Sequence, residues 1–151
     1  MKVIHEVYFT ENVAILSFEK APATIGFLSE LFNRVADAGI NVDMISQTAP
    51  KGAVNAISFT VADEHVAGVL AVLNEMNVGI RPMVSTGNVK IALYGEEMPS
   101  KVGVAAGAFA VLNEAGIDIL LITTSEVDIS IVVSSADSDA AYSALKKEYT
   151  A

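Results

Sequence analysis

The residues best suited to chemistry lie in two short stretches. Ala23-Thr24-Ile25-Gly26-Phe27 opens a run with helical spacing, and the first amide groups of a helix are unpaired and carry partial positive charge. Such an end suits a carboxylate, and Gly26 lets backbone approach closely. Downstream, Asn41-Val42-Asp43 stands at the start of a strand, with Gln47 on the same parity as Asp43. Asp43 can pair an ammonium group, Asn41 can bond either end of a zwitterion, and Gln47 can meet a ligand's side chain. One charge-assisted hydrogen bond of this kind contributes about 1.5–3 kcal/mol. The same residues have plainer readings. Asn41 is also a turn former at a helix–strand junction, Asp43 a solvated strand start, and Gly26 a packing glycine.

Other chemistry finds little support. His5 and His65 are the only histidines, with neither metal-ligand spacing nor a nucleophile–base companion. No phosphate-binding glycine loop or dinucleotide fingerprint occurs. Glu96-Glu97 reads as a solvated turn, and Met44, Met76, Met83 and Met98 read as core or interface filler. With no cysteine, disulfides, thiolate nucleophiles and zinc ribbons are excluded. No catalytic residue, metal or cofactor is therefore expected. The formal charge of −9, with no offsetting basic run, excludes nucleic acid as a partner.

Hydrophobic residues make up 52% and mean hydropathy is +0.49, which raises the question of a membrane. The apolar runs are short, however; Val102–Leu112 falls well below the roughly 20 residues a spanning helix needs. Met1-Lys2-Val3-Ile4-His5-Glu6 has no apolar h-region and is not read as a signal peptide. A strand so soon after Met1 reads as a natural start. Surplus apolar surface in such a chain points to an oligomer interface, and a cytoplasmic homodimer is expected.

The chain also repeats itself. Gly26-Phe27-Leu28-Ser29-Glu30-Leu31-Phe32 and Gly103-Val104-Ala105-Ala106-Gly107-Ala108-Phe109 continue as Val35-Ala36-Asp37-Ala38-Gly39-Ile40-Asn41 and Leu112-Asn113-Glu114-Ala115-Gly116-Ile117-Asp118. The offset is constant, since 103 − 26 and 116 − 39 both give 77. In the first copy, periodicity predicts a strand at Val13–Phe18 and a helix carrying Phe27, Leu28, Leu31, Phe32 and Val35, ended by Gly39. A strand Val42–Gln47, a turn at Pro50-Lys51-Gly52 and an alternating strand through Val54, Ile57, Phe59 and Val61 follow. Asp63 is expected to cap a helix Glu64–Met76, with Val66, Val69, Leu70 and Leu73 inward, before a last strand Val78–Met83. The second copy gives strand Val89–Tyr94, helix Val102–Ala115, strands Ile117–Thr123 and Val127–Val133, and helix Ser138–Tyr149. It lacks a final strand, whereas Val3–Phe9 is a strand without a place. An open edge needs a partner, so residues 3–9 are expected to complete the second copy. The fold class is then α+β: two ferredoxin-like βαββαβ units, 10–86 and 87–151 plus 3–9, interlocked by the N-terminal strand.

Ala38-Gly39-Ile40-Asn41-Val42-Asp43-Met44-Ile45-Ser46-Gln47 resembles the first ACT-domain signature of aspartokinases, and Met98-Pro99-Ser100, Gly103-Val104-Ala105-Ala106 and Thr124-Ser125-Glu126-Val127-Asp128-Ile129-Ser130 resemble the second. The resemblance runs from about residue 3 to 149. It implies a tandem ACT-domain regulatory protein, not an enzyme, that binds a free amino acid beside the first loop, where the strand at Asn41 and Asp43 would lie next to the first strand. It implies a second site at Met98, Ser100, Gly103, Val104, Asp118, Ser125 and Glu126, and an aspartokinase catalytic chain as a partner. The family's loop usually reads Asp, a basic residue, Pro, Gly, whereas here it is Ala23-Thr24-Ile25-Gly26, and Lys101-Val102 precede Gly103. That departure bears on which amino acid is taken (lysine, threonine or another) more than on binding, because loop backbone does much of that work. In the second copy Asp118 stands at the Asn41 position but Leu120 replaces Asp43, so that site is structural or incomplete; Ser125 and Glu126 either cap chain ends or reach across an interface. The chain then reads as a free-standing sensor, a small regulatory subunit or a regulatory fragment. The rival reading is a structural dimerisation module that has lost its ligand.

Overall fold

The computed structural model describes residues 3–150. Ala151, where the second repeat is expected to end, lies outside them. The chain forms two compact units. One is Asn12–Thr86; the other joins the residues through Glu11 to those from Gly87 onward.

Where periodicity predicts strands at Val3–Phe9 and Val13–Phe18, the structure has one strand, β1, Glu6–Pro22. Nothing between the two runs breaks an extended chain. Asn12 instead turns it locally with φ 56°, a left-handed conformation that asparagine tolerates better than most residues. A strand expected at Val78–Met83 likewise starts only at Met83 and continues to Tyr94 as β4. Gly79 takes φ 71° and Pro82 has no amide hydrogen to donate, so the 78–82 segment does not join the ladder.

In the Asn12–Thr86 unit, β1 pairs antiparallel with β3, Val54–Ala62, in a register from Val13↔Ala62 to Pro22↔Val54 that is interrupted by a bulge between Phe18 and Ala21. The short β2, Ile45–Gln47, lies on the far side of β3. It is shorter than the expected Val42–Gln47 because a side chain enters the ladder. The hydroxyl of Thr60, which is 1% exposed, accepts the Met44 amide at 3.0 Å. Helix α1, Ile25–Asp37, presents Phe27, Leu31 and Val35 to the core. Helix α2 is Val66–Met76 and buries Val69, Val72 and Leu73; the expected inward residue Leu70 is 40% exposed. Asp63 does not cap α2. It opens a 3-10 turn, Asp63–His65, and the residue at the helix start is His65, which makes no side-chain cap bond. Phe59 is fully buried and meets the edge of Phe32 at 5.3 Å.

In the other unit, β4 pairs antiparallel with β6, Asp128–Val133, from Val89↔Val133 to Tyr94↔Asp128. Strand β5, Leu121–Thr124, pairs with β6, and β1 is the neighbour on the opposite flank of β4. The His5 amide bonds the Tyr94 carbonyl at 2.8 Å, and Ile4 is fully buried in this unit's core with Ile91, Leu93, Leu112, Ile131 and Leu145. The N-terminal residues thus supply the strand that the second repeat lacks. Helix α3 is Val104–Glu114, two residues shorter at its start than expected. Gly103 sits before it with φ 82°, a conformation a β-carbon would strain, which leaves Val102 wholly exposed. Helix α4, Ser135–Thr150, starts earlier than expected because the Ser134 hydroxyl accepts the Asp137 amide at 3.3 Å.

Each unit is a split βαβ arrangement with its two helices packed on each other, α1 with α2 and α3 with α4.

Candidate ligand-binding site

Strand β1 ends at Pro22, and the chain turns into α1 over Ala23 and Thr24. The Ala23 amide still bonds the Ala53 carbonyl at 2.9 Å, which ties the loop to the beginning of β3. Thr24 is the cap: its hydroxyl accepts the Phe27 amide at 3.2 Å. The amides of Ile25 and Gly26 belong to the same first turn, which helix geometry leaves without intrahelical acceptors. They face the helix's positive end. A pocket of about 140 Å³ opens there, lined by Pro22, Ala23, Thr24, Ile25, Leu28, Gln47, Pro50 and Asn55.

Of the residues singled out in the sequence, Ala23, Thr24, Ile25 and Gln47 therefore meet. Gly26 is exposed beside them. Phe27 and Val42 are part of the hydrophobic core or its margin.

Asn41 and Asp43 do not reach this loop. Strand β2 is not beside β1, because β3 lies between them. The two places are also at opposite ends of β3. The Asp43 amide bonds the Thr60 carbonyl at 3.1 Å, while the loop is tied to Ala53. Seven residues of extended chain, from 53 to 60, span about 23 Å. Shared parity puts Asp43 and Gln47 on one face of the sheet, but it does not make them close. An amino acid carries its two charges on neighbouring atoms of one carbon. A carboxylate on the α1 loop therefore leaves its ammonium far from Asp43 of the same unit.

Asn55, which the sequence reading passed over, sits at the floor of the pocket's lining. It is 6% exposed and its Nδ2 donates to Gln47 Oε1 at 3.4 Å and to the Thr48 carbonyl at 3.3 Å. The available signal was an asparagine inside the alternating run Val54, Ile57, Phe59, Val61, a residue type depleted from strands.

The second unit treats its corresponding residues differently. Met98 is buried in the core. The Ser100 hydroxyl donates to the Glu97 carbonyl at 2.8 Å, and Ser125 Oγ accepts the amides of Val127 and Asp128, each at 3.2 Å. Ser100 and Ser125 thus stabilise turns, and Glu126 is exposed at the tip of the β5–β6 hairpin. Asp118 is exposed before β5, at the end of the sheet away from the loop, because the neighbouring Leu120 bonds Val132 whereas Gly95 bonds Val127. Gly103 and Val104 line a groove of about 430 Å³ with Lys101, Gly107, Glu148 and Tyr149. Partial burial, with a smaller contribution from the neighbouring Glu148 carboxylate, raises the pKa of the Tyr149 phenol.

No group of metal-ligating side chains is present among the described residues, and no helix among them is long and apolar enough to cross a membrane.

Two stretches of the chain, residues 19–76 and 91–149, match the ACT domain. The chain belongs to the ACT-domain family. Its two ACT units are similar in sequence and fold to the regulatory regions of aspartokinases. The aspartokinase of Bacillus sp. (strain MGA3) is 32% identical over 97% of this chain, which spans 36% of that protein's length. The regulatory subunit of aspartate kinase from Thermus flavus superposes with a TM-score of 0.85 at 26% identity, covering 97% of this chain and 98% of that one. The aspartate kinase from Synechocystis superposes with a TM-score of 0.90 at 29% identity, covering 98% of this chain and 27% of that one. The chain spans about a third of the length of the full aspartokinases it matches in sequence.

Proposed function

We propose that this chain is a cytoplasmic amino-acid-binding regulatory protein, which acts on an aspartokinase catalytic domain either as a small regulatory subunit or as the regulatory part of a longer enzyme. The observation that carries this reading is the near end-to-end match with a regulatory subunit, covering 97% of this chain and 98% of that one. The pocket at the amino end of α1 supports it, because that helix terminus has open amides suited to a carboxylate. Ligand binding to one arrangement of the ACT units, and not another, would be the signal. Such an equilibrium shifts only by the ligand's differential affinity for the two states. Asp43 can serve a ligand on the Ala23–Gly26 loop only when a second copy of the chain brings it there, and a homodimer would meet that condition. Lys101, Gly103, Val104 and the residues around them form a weaker second candidate, since Ser100 and Ser125 already bond backbone.

One observation favours the rival reading of a dimerisation module without ligand: Thr24 already caps α1, and the loop carries no acidic side chain. A thermal-shift screen of the twenty amino acids separates the two. A ligand at 100 times its Kd stabilises the folded state by about 2.7 kcal/mol, which raises Tm by roughly 5–11 °C for a chain of this size. No shift with any amino acid would leave the structural module as the better account. A dimer whose response is lost in Asp43→Ala with an unchanged unliganded Tm would support the shared site.

A further inference from the structure

One group in the α1 pocket has incomplete bonding. Asn55 is 6% exposed, and its Oδ1 is buried without a hydrogen-bond partner among the described residues. The orientation of the amide is determined by its neighbours. Nδ2 faces the Thr48 carbonyl at 3.3 Å and Gln47 Oε1 at 3.4 Å. Exchanging the two ends would set an oxygen against the carbonyl oxygen of Thr48, so the oxygen stays on the other side. Buried carbonyls are satisfied in the great majority of cases, and an exception in the lining of a pocket marks a place where a donor arrives from outside.

We infer that Asn55 Oδ1 accepts a hydrogen bond from the ammonium group of an α-amino acid whose carboxylate rests on the first amides of α1, and that the pocket selects a short side chain. This rests on the amino-acid-binding reading above and names the acceptor that Asp43 is too distant to be within one unit. The Gln47 contact is the longer of the two that hold the amide, so a ligand that displaces it lets Oδ1 turn toward the incoming donor. No carboxylate lines the pocket, so the ammonium meets neutral acceptors alone. The volume of about 140 Å³ equals that of roughly five waters at about 30 Å³ each. The zwitterionic core of an amino acid fills most of it, leaving room for a short side chain against Ile25, Leu28 and Pro50. A long chain ending in a second ammonium would leave the pocket without meeting an acidic partner there.

The test is calorimetric titration of the full chain with L-alanine, L-serine and L-threonine, with L-lysine, and with L-lactate and L-glycerate, in which a hydroxyl replaces the ammonium. Loss of a charge-assisted bond weakens binding by at least about tenfold, so the hydroxy acids are expected to bind at least tenfold more weakly than their amino acids. In Asn55→Ala, with its fold checked by circular dichroism, serine and glycerate are expected to bind alike. Equal binding of hydroxy and amino acids by the unaltered chain would remove the role of Asn55 while leaving the amino-acid site standing. Tighter binding of lysine than of the short amino acids would overturn the size selection. If none of the amino acids binds, the site and this inference fall together. The comparison of alanine with lactate decides the matter even if the Asn55 variant does not fold.

Discussion

Gly95 lies at the end of β4, where the N-terminal residues dock against the second ACT unit. A β-carbon placed there would stand 2.0 Å from the Val3 carbonyl oxygen, 2.9 Å from its carbon and 3.3 Å from Ile4 Cα. All three are backbone atoms, so no side chain can swing aside. Its φ lies outside the left-handed region, so alanine itself is not conformationally strained at this position and the clash alone is tested. Gly95→Ala must push Val3 and Ile4 off β4. That movement breaks the 2.8 Å bond from the His5 amide to the Tyr94 carbonyl and exposes Ile4, which is fully buried. Burial of one isoleucine side chain contributes about 1.5–3 kcal/mol, and a hydrogen bond adds about 0.5–1.5 kcal/mol. The expected loss is therefore about 2–4.5 kcal/mol, close to the 2–5 kcal/mol typical of Ile4→Ala. Urea denaturation followed by circular dichroism measures it. Gly107→Ala is the control, since its nearest neighbour is the Tyr149 hydroxyl at 3.4 Å, the end of a movable side chain. The double variant Gly95→Ala/Ile4→Ala should cost little more than either single change, because both remove the same docking. A Gly95→Ala protein within about 0.5 kcal/mol of the parent would refute the docking of the N-terminal residues on this unit.

Other outcomes follow from single contacts. Thr24→Ala removes the bond to the Phe27 amide and should lower stability by about 1 kcal/mol, or Tm by roughly 2–4 °C; an unchanged Tm would mean the cap contributes nothing. Thr60→Val leaves the buried Met44 amide without its acceptor and should cost about 1–3 kcal/mol, read as a lower denaturation midpoint with unchanged slope. For Tyr149 the folded pKa is raised, first by burial and then by Glu148. The folded state therefore favours the neutral phenol, and this contribution is complete below the ordinary tyrosine pKa and lost as pH rises through the folded value. Ultraviolet titration should show a late phenolate step that disappears in Tyr149→Phe; an unchanged titration curve would refute the assignment.

How much of this was legible before any coordinates depends on the range of the interaction. Helix and strand positions are written in local spacing, and Phe27, Leu31 and Val35 recur at the interval that a core-facing helix requires. The 77-residue offset between Gly26 and Gly103 exposes the duplication. An unplaced first strand beside a repeat that lacks its last one is a matter of counting elements. Boundaries were less legible because they turn on single contacts, such as the Thr60 hydroxyl that shortens β2.

The amino-acid order by itself determined the α+β class, the duplicated ACT unit and the capped turn that opens α1, because each is written in neighbours a few residues apart. Tertiary structure alone decided which of the candidate residues share a pocket. Parity along a strand specifies a face and says nothing of distance, so Asp43 and Gln47 looked equivalent until the β3 register set one at Thr60 and the other at Ile57. Asn55 gained its place only when β3 was threaded between β1 and β2. That placement buried one end of its amide beside a helix terminus, a relation between residues 24 and 55 that no local pattern encodes.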